Sequence, residues 1–307
     1  MNITEDVKDV YTLADLQDWD TKAKTPIRLG VFGDPVAHSL SPQMQNAALD
    51  SCGLKMRYAR FQIGPGELGD ALALLPKLNL VGVNLTVPHK MAALDFLDEV
   101  DDNARAVGAV NTVSVEDRKL VGHNTDGKGF SRAIREEFSV DLRDLRVMVL
   151  GAGGAARAIA LQCAEENCER LVIAARNFEK AKQLSDGLRS FFAEPRVLGP
   201  VPRLQAIAWE EAALRFQIAN LDLIVNATPL GLNRADASPI SARLLAPHLM
   251  VYDSIYSNER TPFIAAALAA GARGANGLSM LLHQGALAFE IWFGREAPLE
   301  TMRKALG

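Results

Sequence analysis

Lys90 has a setting that asks for a chemical explanation. It stands in Asn84-Leu85-Thr86-Val87-Pro88-His89-Lys90, where Pro88 is expected to open a helix running to about Leu97. A cation in that first turn faces the positive end of the helix dipole, which disfavours its charged form. The place is poor for a structural lysine and useful for one that transfers protons. Asp126 has the opposite setting. In His123-Asn124-Thr125-Asp126-Gly127 it begins a helix, where the dipole favours the carboxylate anion. Such an anion can orient Lys90 and accept a bond from a substrate hydroxyl. It also raises the lysine's proton affinity, so carboxylate and dipole pull in opposite directions.

Val36-Ala37-His38-Ser39-Leu40-Ser41-Pro42 puts two hydroxyls just ahead of a helix N-terminus. Two O–H donors, nearby N–H groups and a favourable dipole suit a carboxylate ligand. The competing structural reading is simple capping by Ser41.

Gly151-Ala152-Gly153-Gly154-Ala155-Ala156 follows an apolar strand and opens a helix, the pattern of a dinucleotide-binding turn. Gly151 allows the tight turn, Gly153 lets pyrophosphate approach the backbone, and Ala156 permits close helix–strand packing. The helix start offers free N–H groups to phosphates. The following strand runs into Ala175-Arg176-Asn177, with Lys180 one turn on. An NAD site usually has a carboxylate there. Arg176 and Lys180 suit the 2′-phosphate of NADP, with NAD as the alternative.

These groups need a scaffold, and the chain alternates strands and helices, which favours an α/β fold. Strands are expected at 28–32, 58–63, 81–86, 109–115 and 120–122, and again at 146–150, 171–175, 206–209, 223–226 and 250–253. Helices are expected at 42–52, with Ser41 as N-cap, at 67–76, 88–97 and 128–138, from the glycine turn to about 166, and at 178–192, 262–270 and 278–293. The first 25 residues read as a peripheral arm with room for one short helix.

The 307 residues suit two domains. With 49% hydrophobic residues and a net charge of -4, the chain reads as globular, and nucleic acid and anionic membrane are disfavoured partners. No apolar run is long enough to span a bilayer. Cys52, Cys163 and Cys168 have no metal-binding spacing, so no metal is expected and a reducing, cytoplasmic setting is.

Past residue 26 the chain resembles the shikimate dehydrogenase family. The matching segments are GDPVAHSLSP (33–42), GVNLTVPHK (82–90), GAVNT (108–112), GHNTDGKG (122–129), GAGGAARA (151–158), NATPLG (226–231), YDSIY (252–256), TPF (261–263) and GLSMLLHQGALAF (277–289). The resemblance implies an enzyme that reduces 3-dehydroshikimate to shikimate with NADPH, as a monomer or homodimer acting on a small molecule. It implies a substrate domain over 1–125 completed by 276–307, and a Rossmann-type NADP domain over 126–275. Ser39 and Ser41 are similar to the family's carboxylate donors. Thr86, Asn111, Asp126 and Gln284 resemble binders of the ring hydroxyls and reacting oxygen, and Tyr256 a tyrosine near the carboxylate. Lys90 resembles the acid–base residue, paired with Asp126. Gly151, Ala152, Gly153, Gly154, Ala155, Ala156, Arg176, Lys180, Thr228 and Gly277 match cofactor positions, and Asp102 an acidic position near the cofactor. The segment 175–180 departs from the family's usual N-R-T-x-x-R, and Gln45 stands where the family often has His. The alternatives are a quinate/shikimate dehydrogenase using NAD or both cofactors, and a ligand-sensing relative without catalysis.

Overall fold

The structure is a computed structural model that describes residues 8–19, 26–193, 202–233, 235–256 and 260–307. It divides into two compact units, one of residues 1–125 with 285–307 and one of residues 126–284. The division places the return to the first unit at Gly285, where the sequence places it at 276.

Seven strands build the sheet of the first unit: β1 (Tyr11–Thr12), β2 (Ile27–Gly33), β3 (Arg57–Gln62), β4 (Gly82–Leu85), β5 (Glu99–Val100), β6 (Thr112–Glu116) and β7 (Lys119–His123). Their order is β1-β3-β2-β4-β6-β7-β5. The first four are mutually parallel, and β6 and β7 form an antiparallel hairpin. Its turn residues, Asp117 and Arg118, both have positive φ, as a two-residue hairpin turn requires. Five helices accompany these strands: α1 (Leu13–Gln17), α2 (Ser41–Ser51), α3 (Leu68–Leu74), α4 (His89–Ala92) and α5 (Asp102–Val107).

The N-terminal stretch is not a peripheral arm over its described residues. Tyr11 pairs with Phe61, and Tyr11, Trp19 and Phe61 form an aromatic cluster with ring centroids 5.2–5.7 Å apart. Leu16 is fully buried in the core with Phe32, Phe61 and Leu72. The sequence hides this because one buried leucine among polar neighbours carries no periodicity. Leu16→Ala is expected to cost about 2–5 kcal/mol of stability, read as a lower urea midpoint. A change under about 0.5 kcal/mol would return the segment to the status of an arm.

The helix expected at 88–97 is also different. α4 is a single turn, followed by 3₁₀ geometry over Ala93–Phe96. The carbonyl of Lys90, which a continuing helix would give to Leu94, accepts from Val110 N at 2.7 Å. The 178–192 helix is likewise divided, into an α-helix over Phe178–Gly187 and a 3₁₀ turn over Arg189–Phe192.

The second unit begins with α6 (Asp126–Phe138). β8 (Arg146–Leu150), α7 (Gly154–Glu165), β9 (Arg170–Ala175), α8 (Phe178–Gly187), β10 (Leu204–Ala208) and α9 (Glu211–Ile218) follow, then β11 (Leu223–Asn226), β12 (Met250–Asp253), α10 (Pro262–Ala269) and β13 (Arg273–Asn276). All six strands are parallel in the order β10-β9-β8-β11-β12-β13. This is the doubly wound order of Rossmann-type domains, with the topological switch between β8 and β11. β8, β9, β11 and β12 are almost wholly buried apolar residues, as strands covered on both faces must be. α11 (Leu278–Phe293) and α12 (Leu299–Leu306) end the chain, and in the first unit α12 packs on α2.

Candidate active site

In the first unit, strand direction gathers four polar segments. β2 and β4 are parallel neighbours, so their carboxyl ends lie side by side. β6 runs against β4, and β7 against β6, so the start of β6 and the end of β7 share that edge. Ser39 and Ser41 follow β2, Thr86 and Lys90 follow β4, Asn111 precedes β6, and Thr125 follows β7.

Each segment is pinned. Ser39 N donates to Val36 O at 3.0 Å, and Ser41 N donates to Ser39 Oγ at 3.3 Å. The two serines are 8% and 6% exposed. Ser41 is not the N-cap of α2. Leu40 holds that position, and its hydrocarbon side chain offers no acceptor to cap the helix; the first helical bond runs from Met44 N to Leu40 O. Thr86 N donates to Phe32 O at 2.9 Å, and its methyl fills the space a Cβ at Gly33 would need. Glycine at 33 is therefore a condition for Thr86 to sit where it does. His89, 1% exposed, bonds Ile63 O through Nε2 at 2.7 Å, which is a packing role.

Asn111 is buried, and its amide is fixed by Thr125: Oδ1 accepts from Thr125 N at 2.8 Å, and Nδ2 donates to Thr125 Oγ1 at 2.9 Å. Tyr58 OH donates to Asn84 Oδ1, and Asn84 Nδ2 bonds Asn111 O and Thr112 Oγ1. Asn84 and Thr125 lie inside segments the sequence singles out, but neither is a sequence candidate. Only the folded network shows that they hold Asn111. His123 bonds Asp101 through Nδ1 and Ser114 through Nε2, both at 3.0 Å. Asp101 caps α5, and Asp102 is exposed in that helix's first turn, apart from these networks.

In the second unit, Asp126 is the first residue of α6 and is 3% exposed. One turn on, Gly129 lies against α11: a Cβ there would be 2.8 Å from Gln284 N and 3.0 Å from Gln284 Cα. This close approach sets the buried Gln284 within a turn of Asp126. Gly277 N donates to Ile255 O, and a Cβ at Gly277 would meet Ser254 O at 2.3 Å. The loop bearing the half-buried Tyr256 thus rests directly on that glycine.

The glycine turn lies at the carboxyl end of β8. Gly151 has φ +119°, and a Cβ there would crowd Ala227 O and Thr228 Cγ2 at 3.0 Å. Gly153 occupies the N-cap of α7 with open space where its Cβ would be. Bare backbone at a helix start, facing open space, fits a pyrophosphate. Ala156 is fully buried where α7 meets the sheet. Beside the turn, Thr228 N and Oγ1 donate to Asn226 Oδ1, and Asn226 Nδ2 donates to Asp253 Oδ1 at 2.9 Å. Asp253 also accepts from Ile255 N and Thr261 Oγ1. Burial pushes the Asp253 carboxyl up, against these three hydrogen bonds that hold it down. Sequence reading marks Asp253 only as part of a segment.

Family models match residues 31–113 (shikimate dehydrogenase substrate binding domain), 132–199 (shikimate / quinate 5-dehydrogenase) and 277–306 (shikimate 5′-dehydrogenase C-terminal domain). The shikimate dehydrogenase (NADP(+)) of Methanopyrus kandleri is 40% identical over 280 residues, 91% of this chain and 94% of that protein. The chain belongs to the shikimate dehydrogenase family. Solved structures agree. A shikimate dehydrogenase in complex with NADP+ superposes with a TM-score of 0.83 at 37% identity, over 93% of this chain and 96% of that one. The shikimate 5-dehydrogenase of Thermus thermophilus, in complex with NADP(H) and shikimate, gives 0.78 at 36% identity, over 91% and 98%.

Membership gives the altered 175–180 segment its interest. Arg176 and Lys180 are both exposed at the end of β9 and the start of α8. Asn177 stands where the family usually has threonine, and its side chain still caps α8 by accepting from Lys180 N at 3.2 Å. The substitution therefore keeps the helix start that carries both cations. Among the described residues no helix is long and apolar enough to cross a membrane, and no cluster of His, Cys, Asp and Glu has the makings of a metal site.

Proposed function

We propose that this protein catalyses the reversible NADPH-dependent reduction of 3-dehydroshikimate to shikimate. The observation that carries the reading is the convergence of Ser39, Ser41, Thr86, Lys90 and Asn111 at one edge of a sheet, in a chain that also holds a dinucleotide turn. Such a convergence suits a small polyhydroxylated carboxylate better than an apolar ligand.

NADPH, when bound, supplies the hydride. The backbone N–H groups at Gly153 and Gly154 bind its pyrophosphate. Thr228 and Gly277 border its nicotinamide end, and Arg176 and Lys180 hold the 2′-phosphate. We assign Asp102 to the cofactor as well. Ser39 and Ser41 donate to the substrate carboxylate, with Tyr256 as a further hydroxyl donor. Thr86, Asn111 and Gln284 hold the ring hydroxyls, each from a pinned backbone, so little orientation is lost on binding. Lys90 gives a proton from Nζ to the oxygen that becomes the new hydroxyl. Asp126 accepts from a neighbouring ring hydroxyl and keeps the lysine oriented.

The direct test is NADPH consumption by the purified protein, followed by near-ultraviolet absorbance. Consumption with 3-dehydroshikimate and none without it supports the reading. Binding of both ligands without consumption would make the protein a ligand sensor. Cofactor choice is separately testable. Arg176→Ala is expected to raise the KM for NADP roughly tenfold, the worth of one charge-assisted hydrogen bond, and to leave the KM for NAD unchanged. Equal changes for both cofactors would remove Arg176 from the 2′-phosphate.

A further inference from the structure

Arg60 belongs to none of the motifs above, yet it grips one of their residues. It lies on β3, opposite Val31 of β2. Its neighbours Ala59 and Phe61 point into the core, so Arg60 takes the other face with Tyr58. Tyr58 shows what covers that face, since its backbone N–H and carbonyl both bond Asn46 of α2. From there the Arg60 guanidinium reaches the segment leading into α2. Nε and Nη2 both donate to the carbonyl of Ser39, at 3.0 and 2.7 Å.

Two charge-assisted bonds on one carbonyl, with Ser39 N held by Val36 O, clamp the residue from both sides. Ser39 Oγ accepts from Ser41 N, which leaves the Ser39 hydroxyl proton to donate elsewhere. Among the described residues Arg60 has no carboxylate partner, although it is half-buried. A half-buried cation on the Ser39 carbonyl, with no carboxylate partner among the described residues, makes a local field that attracts an anion.

We propose that Arg60 is a positioning residue for the substrate carboxylate: it holds Ser39 and Ser41 in the donating arrangement and sets its own charge beside the anion. The inference rests on the reading that those serines bind the carboxylate.

The test compares shikimate with its methyl ester, which keeps the ring and loses the charge. Arg60→Met, Arg60→Lys and Ser39→Ala are measured for KM with both compounds, for kcat and for the KM of NADP. Arg60→Met is expected to raise the KM for shikimate roughly tenfold and that for the ester by less than about twofold. kcat and the KM for NADP hold within about twofold. Arg60→Lys restores part of the preference for the acid, because it keeps the charge and loses the fork. Equal KM increases for acid and ester in Arg60→Met, or none, would reduce Arg60 to a structural residue and overturn the proposal. Should Arg60→Met fail to fold, Arg60→Gln supplies the neutral variant and is judged by the same ratio. Ser39→Ala separates the two levels. If it narrows the acid preference and the Arg60 variants do not, only the Arg60 proposal fails. If it leaves the preference intact, the serine reading fails and Arg60 falls with it.

Discussion

Lys90→Ala is expected to lower kcat by roughly 10²–10⁴-fold, the usual worth of a positioned acid–base group, while the substrate KM changes only modestly. The backbone around Lys90 is held independently of its side chain. Val110 N donates to its carbonyl, His89 N donates to Thr86 O, and the His89 ring bonds Ile63 O. Alanine therefore removes the ammonium and leaves Thr86 and the turn in place. Lys90→Arg is the sharper control. It keeps the positive charge but cannot give up its proton, so turnover should stay low although the electrostatics are preserved. Steady-state rates for both variants, with NADPH affinity measured in the absence of substrate, check the prediction. Near-normal turnover in Lys90→Ala would remove the lysine from proton transfer.

The second large effect is expected at Gly129. In an exposed helix, replacing glycine by alanine gains about 1 kcal/mol from propensity. Here the sign should reverse. The new Cβ would lie 2.8 Å from Gln284 N, 2.9 Å from its Cβ and 3.0 Å from its Cα. Two of these atoms are helix backbone, so nothing flexible can yield. Gly129→Ala is expected to cost about 1–3 kcal/mol, and Gly129→Val more. Because Asp126 and Gln284 sit within a turn of the contact, a displacement of about 1 Å should also lower kcat/KM on the order of 10²-fold. Gly187, with nothing within 4 Å of its would-be Cβ and an exposed position at the end of α8, is the internal control. Gly187→Ala should be neutral or stabilising. Urea unfolding and kinetics on the pair measure both effects, and like behaviour at the two glycines would contradict the packing argument.

The contrast between those glycines shows where sequence reading stops. Gly151 and Gly153 are legible because their constraint is local, a strand, a turn and a helix start within a few residues. Most of the second sheet is legible for the same reason: β8, β9, β11 and β12 are short apolar runs, and 223–226 and 250–253 fall on β11 and β12. β13, Arg-Gly-Ala-Asn, has no apolar run and is not expected from the sequence. Gly129 closes a recognised segment, but the reason for it is hidden because its partner, Gln284, is far away in the chain. Arg60 is silent, since nothing near it names the Ser39 carbonyl. Gly33 stands in a recognised segment, but its reason, the Thr86 methyl, needs the β2–β4 pairing. The early end of α4 depends on Val110 taking a carbonyl that helix propensity assigns to Leu94. The N-terminal strand depends on an open edge at β3. In each case the local signal was real or absent, and a distant residue decided the outcome.

Arg176 at the end of β9 and Lys180 at the start of α8, taken together with the serine pair and Lys90, make a joint claim about cofactor and substrate. Turnover with shikimate and with quinate, each with NADP and with NAD, tests that claim most directly. Reduced nicotinamide is expected to form with the highest kcat/KM for shikimate and NADP, with a clear loss when either is exchanged. A higher kcat/KM with quinate or with NAD, or no turnover in any of the four combinations, would contradict it.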